Sequence, residues 1–290
     1  MHLKPFDYCA PDSLGEAMGL LAQPAGRPTP LAGGTDLLLQ LKENQRQSGA
    51  LMSLKNVPEL HELNLSGQRW RIGAAVTVSR LGATALPQSN PCIADAIRQM
   101  ATLQIRNRAT IGGNLCTAAA CADFPPVLLI NDAVAHLASA GTTRDVPLGQ
   151  FFTGLRQVDL RPDELLVGIS LRSTNRGSAY FKFGVRNAAN IAITGVACCL
   201  ELDGETVAAM KLSSTAACPR ATLIHPAAEA AIGQPATDAT WRRVAELVRE
   251  HLEPISDLRG SAKYRLHLAE VGTVKALNLA AERFREAARA

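Results

Sequence analysis

Apolar residues along the chain recur with either a helical spacing or the period of two that is typical of strands. Near the N-terminus, a capping box at residues 13–16 (SLGE) opens a helical pattern that predicts a helix to about residue 22. A short strand then leads into residue 31, and residues 50–54 (ALMSL) predict a second strand. Together these elements predict a small β-α-β unit.

The middle of the chain changes pattern twice. Alternation at residues 70–78 predicts a strand, helical spacing at residues 93–100 predicts a helix, and residues 165–171 predict another strand. The polar run at residues 173–177 (STNRG) lacks apolar periodicity, so we place a domain boundary there. The predicted divisions are a domain at 1–175, with subdomains at about 1–55 and 56–175, and a second domain at 176–290.

Strands and then helices fill the remainder. Strands are predicted near residues 180–185, 191–202 and 207–214, with a hairpin turn at Asp203-Gly204. Helices are predicted at 227–232, 241–252 and 262–288.

Composition excludes several classes of protein. Hydrophobic residues make up 47% of the 290 positions, as in a globular protein, and the net charge of +4 forms no basic stripe that would suit nucleic acid. The longest apolar stretch, residues 188–200, is too short to span a membrane, and no secretory signal is recognisable. Seven cysteines without a CxxC pair indicate a reduced protein, which we expect to be cytoplasmic.

Two double-glycine segments are the main chemical signal. They are residues 31–37 (LAGGTDL) and residues 110–115 (TIGGNL). Glycine allows successive backbone N–H groups to converge on one point, and such a concavity binds anions. Either segment alone fits a tight strand-to-helix connection equally well. As a pair flanked by polar residues, they indicate one extended ligand with a charged middle, such as a dinucleotide.

Other nucleotide and catalytic motifs are absent, including GxGxxG, GxxxxGK[ST] and GxSxG. Asp123 precedes a Pro-Pro bend and either accepts hydrogen bonds from a ribose or caps a helix. Lys182 lies among aromatic residues (YFKF) and either approaches a phosphate or flavin carbonyl, or faces solvent from an amphipathic strand.

These segments carry a family resemblance. Residues 31–37 and 106–115 (RNRATIGGNL) resemble the two FAD motifs of the flavoprotein (medium) subunits of the xanthine dehydrogenase family of molybdenum hydroxylases, which includes the medium subunit of carbon monoxide dehydrogenase. Further matching segments follow in the family's order, so the resemblance covers nearly the whole chain: residues 123–126 (DFPP), 163–166 (DELL), 180–182 (YFK), 219–221 (PRA) and 257–265 (DLRGSAKYR).

The resemblance implies an α+β fold. It implies a type 2 FAD-binding domain, similar to vanillyl-alcohol oxidase and termed PCMH-like, at 1–175. A carbon monoxide dehydrogenase flavoprotein-like C-terminal domain, with a three-stranded antiparallel sheet and a helical bundle, then occupies 176–290.

The resemblance also implies which residues bind FAD. Two segments would wrap the pyrophosphate, one carboxylate would hold the ribitol or adenosine side, and four side chains would lie by the flavin ring. The two segments around the pyrophosphate are Pro30, Leu31, Ala32, Gly33, Gly34, Thr35, Asp36 and Leu37, and Thr110, Ile111, Gly112, Gly113 and Asn114. The carboxylate is Asp123. The four side chains by the flavin ring are Met100, Leu166, Lys182 and Ile191. No catalytic side chain and no metal ligand are implied on this chain.

In function, the resemblance implies an electron-transferring FAD subunit. A large molybdopterin subunit would oxidise the substrate, and a small subunit with two [2Fe-2S] clusters would pass electrons to FAD and on to an external acceptor. The assembly would be a dimer of heterotrimers. Cys116 and Cys121 lie where some relatives insert a [4Fe-4S] cluster, but residues 123–126 follow at once, so we expect no such cluster. Residues 186–190 (RNAAN) lack the acids common in members that use NAD⁺, which leaves the acceptor open.

Two other functions remain open at this point. A self-sufficient FAD oxidase or reductase of the same fold would turn over a substrate by itself, and it would need a substrate-binding cap for which the C-terminal region is small. A nucleotide-binding or assembly module without enzymatic activity would be colourless.

Overall fold

A parallel three-stranded sheet forms the N-terminal part of the fold. The computed structural model describes residues 3–172, 174, 177–186 and 189–289. The first elements are β1 (Asp7–Cys9), α1 (Leu14–Ala22), β2 (Thr29–Leu31), α2 (Leu37–Lys42) and β3 (Ala50–Ser53). The sheet order is β1-β3-β2, and both pairs are parallel. The β-α-β unit is therefore present, and β1 is a further strand that the sequence analysis did not predict.

The next part is built on a five-stranded antiparallel sheet of order β4-β5-β10-β6-β7. After a 3₁₀ helix at Pro58–His61, its elements are β4 (Leu63–Ser66), β5 (Arg69–Gly73), α3 (Val78–Gly82), α4 (Leu86–Ser89), α5 (Pro91–Gln99), α6 (Leu103–Arg106), α7 (Ile111–Thr117), α8 (Phe124–Leu129), β6 (Val134–Ser139), β7 (Thr142–Pro147), α9 (Leu148–Phe151), β8 (Phe152–Gly154), β9 (Gln157–Val158) and β10 (Leu165–Arg172). Side chains from α5, α7 and α8 join those of the sheet in one hydrophobic core.

The C-terminal part is a four-stranded antiparallel sheet with three helices, in sequential strand order. Its elements are β11 (Ser178–Gly184), β12 (Ala192–Asp203), β13 (Thr206–Thr215), β14 (Thr222–Leu223), α10 (His225–Glu229), α11 (Asp238–Glu250) and α12 (Ala262–Arg289). The three long strands and the three helices were predicted. The fourth strand has only two residues, too few for an apolar period to reveal it.

Parts of two sequence expectations lie outside the described residues. These are residues 173, 175 and 176 at the predicted domain boundary, and residues 187 and 188 in the segment without acids. On either side of the boundary, Arg172 ends the five-stranded sheet and Ser178 begins the four-stranded one. Within the described ranges, no helix combines the length and the apolar composition that a membrane crossing requires.

Trp241 anchors α11 in the C-terminal core, where its side chain is completely buried. We expect Trp241→Ala to lower the free energy of unfolding by about 3–5 kcal/mol, because a large cavity replaces the indole ring. Urea titration followed by circular dichroism measures this. The control is Leu258→Ala, since Leu258 is fully exposed and its truncation should change stability by less than about 0.5 kcal/mol. Equal midpoints for the two variants would contradict the packing described.

Candidate functional site

The first double-glycine segment follows the carboxyl end of β2, where open parallel sheets commonly bind ligands. Gly34 has φ +74°, a left-handed conformation that glycine adopts without strain. Gly33 has an ordinary φ, but a Cβ there would overlap the backbone carbonyl of Arg108. The two glycines therefore serve different purposes: Gly34 makes the turn, and Gly33 lets the loop touch the chain just before the second glycine segment.

This loop presents unused hydrogen-bond donors. The backbone N–H groups of Gly33, Gly34, Thr35 and Asp36 donate to no acceptor in the described part of the chain. Unpaired N–H groups that follow one another in a turn form a concavity suited to an anion. The expected donor cradle is present at this segment.

The second double-glycine segment is different, and the expectation of a second turn with free N–H groups is wrong. Gly112 and Gly113 lie in the first turn of α7, which Thr110 caps with its side chain. The Gly112 N–H donates to the Ala74 carbonyl at 2.9 Å, and the Gly113 N–H donates to Thr110 Oγ1 at 3.1 Å. A Cβ on Gly112 would lie 2.6 Å from the Ala74 Cβ, so this glycine permits close packing.

In the second segment, the side chain of Asn114 carries a hydrogen-bond acceptor that is available to a ligand. Its Oδ1 is buried and accepts no hydrogen bond from any described residue. Leaving a buried acceptor unpaired costs about 1–3 kcal/mol, so such an atom calls for a partner. Asn114 lines the same cleft as the loop at residues 33–36, which places an unsatisfied acceptor and unsatisfied donors around one space.

That space is a cleft of about 840 Å³, lined by residues from the part of the chain with the parallel three-stranded sheet and from the part with the five-stranded sheet. Most of the predicted site residues line it: Pro30, Ala32, Gly33, Gly34, Thr35, Asp36, Leu37, Met100, Thr110, Gly112, Gly113, Asn114, Asp123, Leu166 and Ile191. Three do not: Leu31, Ile111 and Lys182. The volume is within the range of about 300–1,000 Å³ that is usual for cofactor clefts.

Asp123 is a buried carboxylate on the cleft wall. It precedes α8, but its side chain does not cap that helix. Instead, Oδ1 accepts a hydrogen bond from the Tyr180 hydroxyl at 2.7 Å, and Oδ2 accepts one from Lys182 Nζ at 3.0 Å. Burial raises the pKa of the Asp123 carboxyl, while the charge of Lys182 and the Tyr180 hydrogen bond act in the opposite direction. Asp123 is thus held in place by protein partners and keeps spare acceptor capacity toward the cleft.

Lys182 does not face solvent, as one interpretation of its strand had it, because its side chain is only 3% exposed. Besides Asp123, its Nζ donates to the carbonyl oxygens of Gln99 at 3.1 Å and Asn190 at 3.2 Å. These three acceptors occupy all the protons of an ammonium group. A direct contact between Lys182 and a ligand phosphate therefore has no support in this geometry.

Four arginines in the cleft wall were not recognised in the sequence, because they are scattered over the chain. They are Arg27, Arg46, Arg156 and Arg161. The acids that line the same cleft are Asp36, Asp123 and Glu164. Asp123 and Glu164 already form ion pairs with Lys182 and Arg144, which lie outside the cleft lining, whereas Asp36 has a long 3.9 Å pair with Arg156. The cleft therefore carries an excess of positive charge, which favours an anionic ligand.

Neither redox-active sulfur nor a metal site is apparent here. Cys116 and Cys121 both line the cleft, and burial raises the pKa of Cys116 to about 12 and also raises that of Cys121. Among the described residues, no group of three or more His, Cys, Asp or Glu side chains could hold a metal ion. The arrangement can bind an elongated anion with an apolar end at Met100, Leu166 and Ile191, and any redox chemistry would come from that ligand.

Comparison with known proteins gives consistent matches. Residues 4–171 match the family model of the FAD binding domain in molybdopterin dehydrogenase, and residues 179–280 match that of the CO dehydrogenase flavoprotein C-terminal domain. The chain is 33% identical over 271 residues to the putative xanthine dehydrogenase FAD-binding subunit of Escherichia coli K12, covering 92% of each chain. It is 31% identical over 278 residues to the carbon monoxide dehydrogenase medium chain of Hydrogenophaga pseudoflava, covering 95% of this chain and 96% of the relative.

Solved structures agree with the sequence matches. Carbon monoxide dehydrogenase from Hydrogenophaga pseudoflava superposes with a TM-score of 0.93 at 31% identity, covering 98% of this chain and 99% of the matched chain. Quinoline 2-oxidoreductase from Pseudomonas putida 86 also has a TM-score of 0.93, at 29% identity, covering 98% of this chain and all of the matched chain. The α+β fold expected from the sequence is confirmed.

Arg144 supports the cleft wall from behind. Its guanidinium donates to Glu164 at 2.7 and 2.8 Å and to the Asp159 carboxylate at 2.7 and 3.1 Å. These hydrogen bonds hold the pKa of Glu164 below its ordinary value of 4.5, and that of Asp159 is lowered in the same way. Because the folded-state pKa values are depressed, the stabilisation is present above about pH 4.5 and is lost as the pH falls through them.

We therefore expect Arg144→Met to lower the free energy of unfolding by about 1–2 kcal/mol at pH 7, a figure reduced because Asp159 is partly exposed. At pH 3 the loss should be smaller, because below the ordinary glutamate pKa of 4.5 the stability that Arg144 contributes by keeping Glu164 ionised decreases with pH. Denaturant titrations at the two pH values measure this, with the exposed Arg243→Met as the control. A loss that is the same at both pH values would refute the ion-pair account.

Proposed function

The chain belongs to the family of FAD-binding flavoprotein subunits of molybdopterin dehydrogenases, and from that premise we propose that it transfers electrons through FAD bound in the cleft described above. The enzymes of this family are oxidoreductases. When bound, FAD supplies the redox chemistry, and the protein binds and orients it. No side chain of this chain needs to act as an acid or base on a substrate.

The observation that carries this proposal is the set of unused donors at the first glycine loop. The free N–H groups of Gly33, Gly34, Thr35 and Asp36 suit the pyrophosphate, and the excess of cleft arginines suits its charge. The unpaired Oδ1 of Asn114 suits a hydroxyl donor of the cofactor.

The remaining assignments follow from the lining of the cleft. Asp123 accepts from the ribitol or ribose hydroxyls, and Met100, Leu166 and Ile191 contact the flavin ring. Leu31, Ile111 and Lys182 act from behind the lining, with Lys182 acting through Asp123. The FAD-binding domain ends near residue 175, where the five-stranded sheet gives way to the four-stranded one.

The partners proposed are a small subunit with [2Fe-2S] clusters and a large molybdopterin subunit, in a dimer of heterotrimers located in the cytoplasm. Electrons pass from the clusters to FAD and then to an external acceptor. Similarity to the medium chain of carbon monoxide dehydrogenase over almost its full length supports this assembly.

Gly33→Ala tests the FAD site. We expect the purified variant to lose its flavin absorbance on desalting, because the new Cβ forces the loop away from Arg108 and separates the two sides of the cleft. The matched control is Gly19→Ala in α1, where a Cβ meets no atom within 4 Å, so FAD should be retained. Asn114→Leu, which leaves the loop intact, should raise the Kd for FAD about five- to tenfold through one lost hydrogen bond. If Gly33→Ala retained all of its FAD, the assignment of the FAD site to this cleft would lose its basis.

Co-purification tests the subunit role. The tagged chain, expressed with its natural partners, should bring larger and smaller chains together with iron and molybdenum, and the isolated chain should carry FAD alone. Metal analysis and reduction of FAD on addition of a substrate of the complex provide the readout. Substrate turnover by the isolated chain would instead indicate a self-sufficient oxidase or reductase.

A further inference from the structure

Among the described residues, strand β11 has a neighbouring strand on one side only. It pairs with β12, and it is the edge strand of the four-stranded sheet. An open edge exposes backbone N–H and C=O groups that must find other partners. Helix α5, from the FAD-binding domain, packs along this edge.

Two side chains of α5 form the hydrogen bonds that a neighbouring strand would form. The Tyr180 N–H donates to Asp95 Oδ2 at 3.1 Å, and Gln99 Nε2 donates to the Tyr180 carbonyl at 3.1 Å. The Lys182 N–H then donates to Gln99 Oε1 at 3.2 Å. Asp95 and Gln99 are four residues apart, so both project from the same face of the helix.

The same turn of helix reaches the cofactor cleft. The Gln99 carbonyl accepts a hydrogen bond from Lys182 Nζ at 3.1 Å, and that Nζ also holds Asp123. The next residue, Met100, lines the cleft, whereas Gln99 does not. Gln99 thus accepts hydrogen bonds from both the backbone N–H and the ammonium group of Lys182, and it does so without lining the cleft itself.

The other end of this connection is fixed by α12. Asp95 is buried and accepts two hydrogen bonds from Arg283, at 2.7 and 3.0 Å. Arg283 also donates to the Ser178 carbonyl at 2.8 Å. The C-terminal helix, the edge strand and α5 are therefore joined through polar groups that lead to the cleft.

We propose that Gln99 is a positioning residue for the FAD cleft: by holding Lys182 it fixes the Asp123 carboxylate where the cofactor meets it. The inference rests on the proposed function, since it takes FAD as the ligand. Its physical basis is that a carboxylate with a fixed partner is already oriented when the cofactor arrives, which lowers the entropy lost on binding.

The test is the Kd for FAD of Gln99→Met, a variant of similar size that keeps the backbone carbonyl but loses the side-chain hydrogen bonds. We expect a rise of about tenfold, with an altered visible circular dichroism spectrum of the bound flavin. The control Gln88→Met, on the exposed face of α4, should match the wild type in both. Gln99→Glu keeps an acceptor for the Lys182 N–H and should bind FAD more tightly than Gln99→Met.

A double-mutant cycle separates positioning from general destabilisation. If Gln99 acts through Lys182, adding Gln99→Met to Lys182→Met should leave the Kd unchanged within about twofold. Fully additive effects, or a wild-type Kd for Gln99→Met, would overturn the proposal. Should Gln99→Met fail to fold, the cycle is run with Gln99→Glu. A wild-type chain that binds no FAD refutes the proposed function itself, whereas wild-type binding with an unaffected Gln99→Met refutes only this inference.

Discussion

Close contact between the Gly33 backbone and the Arg108 carbonyl is the constraint on which the cleft depends. It joins a loop that leaves the parallel sheet to the segment that enters α7, in the part of the chain with the five-stranded sheet. Because no side chain intervenes, the free N–H groups of the loop and the unpaired Asn114 oxygen line one space. The shape of the cleft therefore depends on how closely these two backbones approach each other.

Much of this architecture can be predicted from the sequence, because long helices and strands show a clear periodic pattern of apolar residues. Strands β12 and β13 and helices α11 and α12 were predicted to within a few residues of their observed bounds. The strands that were missed have between two and six residues: β1, β4, β6, β7, β8, β9 and β14. β1 pairs with β3, far along the chain, and a local apolar pattern carries no information on such a partner. β14 pairs with the adjacent β13, but its two residues are too few to show a period.

The site was predictable in position but less so in role. The two glycine pairs have similar sequences, yet only the first has N–H groups without an acceptor among the described residues. In the second pair, the N–H groups donate to the Ala74 carbonyl and to Thr110 Oγ1. Likewise, Lys182 Nζ donates to the carbonyl oxygen of Gln99 at the end of α5, about eighty residues earlier in the chain. A local pattern of residues around Lys182 could not indicate this contact. The arginines of the cleft escaped notice because four separate segments contribute them.

The protonation state of the two cysteines in the cleft wall, Cys116 and Cys121, determines how readily they react with oxidants. Oxidants and alkylating reagents attack the thiolate, and a thiol with a pKa of about 12, as in Cys116, is almost wholly protonated at neutral pH. Burial shifts Cys121 in the same direction. If FAD binds in the cleft as we propose, the sulfur atoms that line it are in their least reactive form.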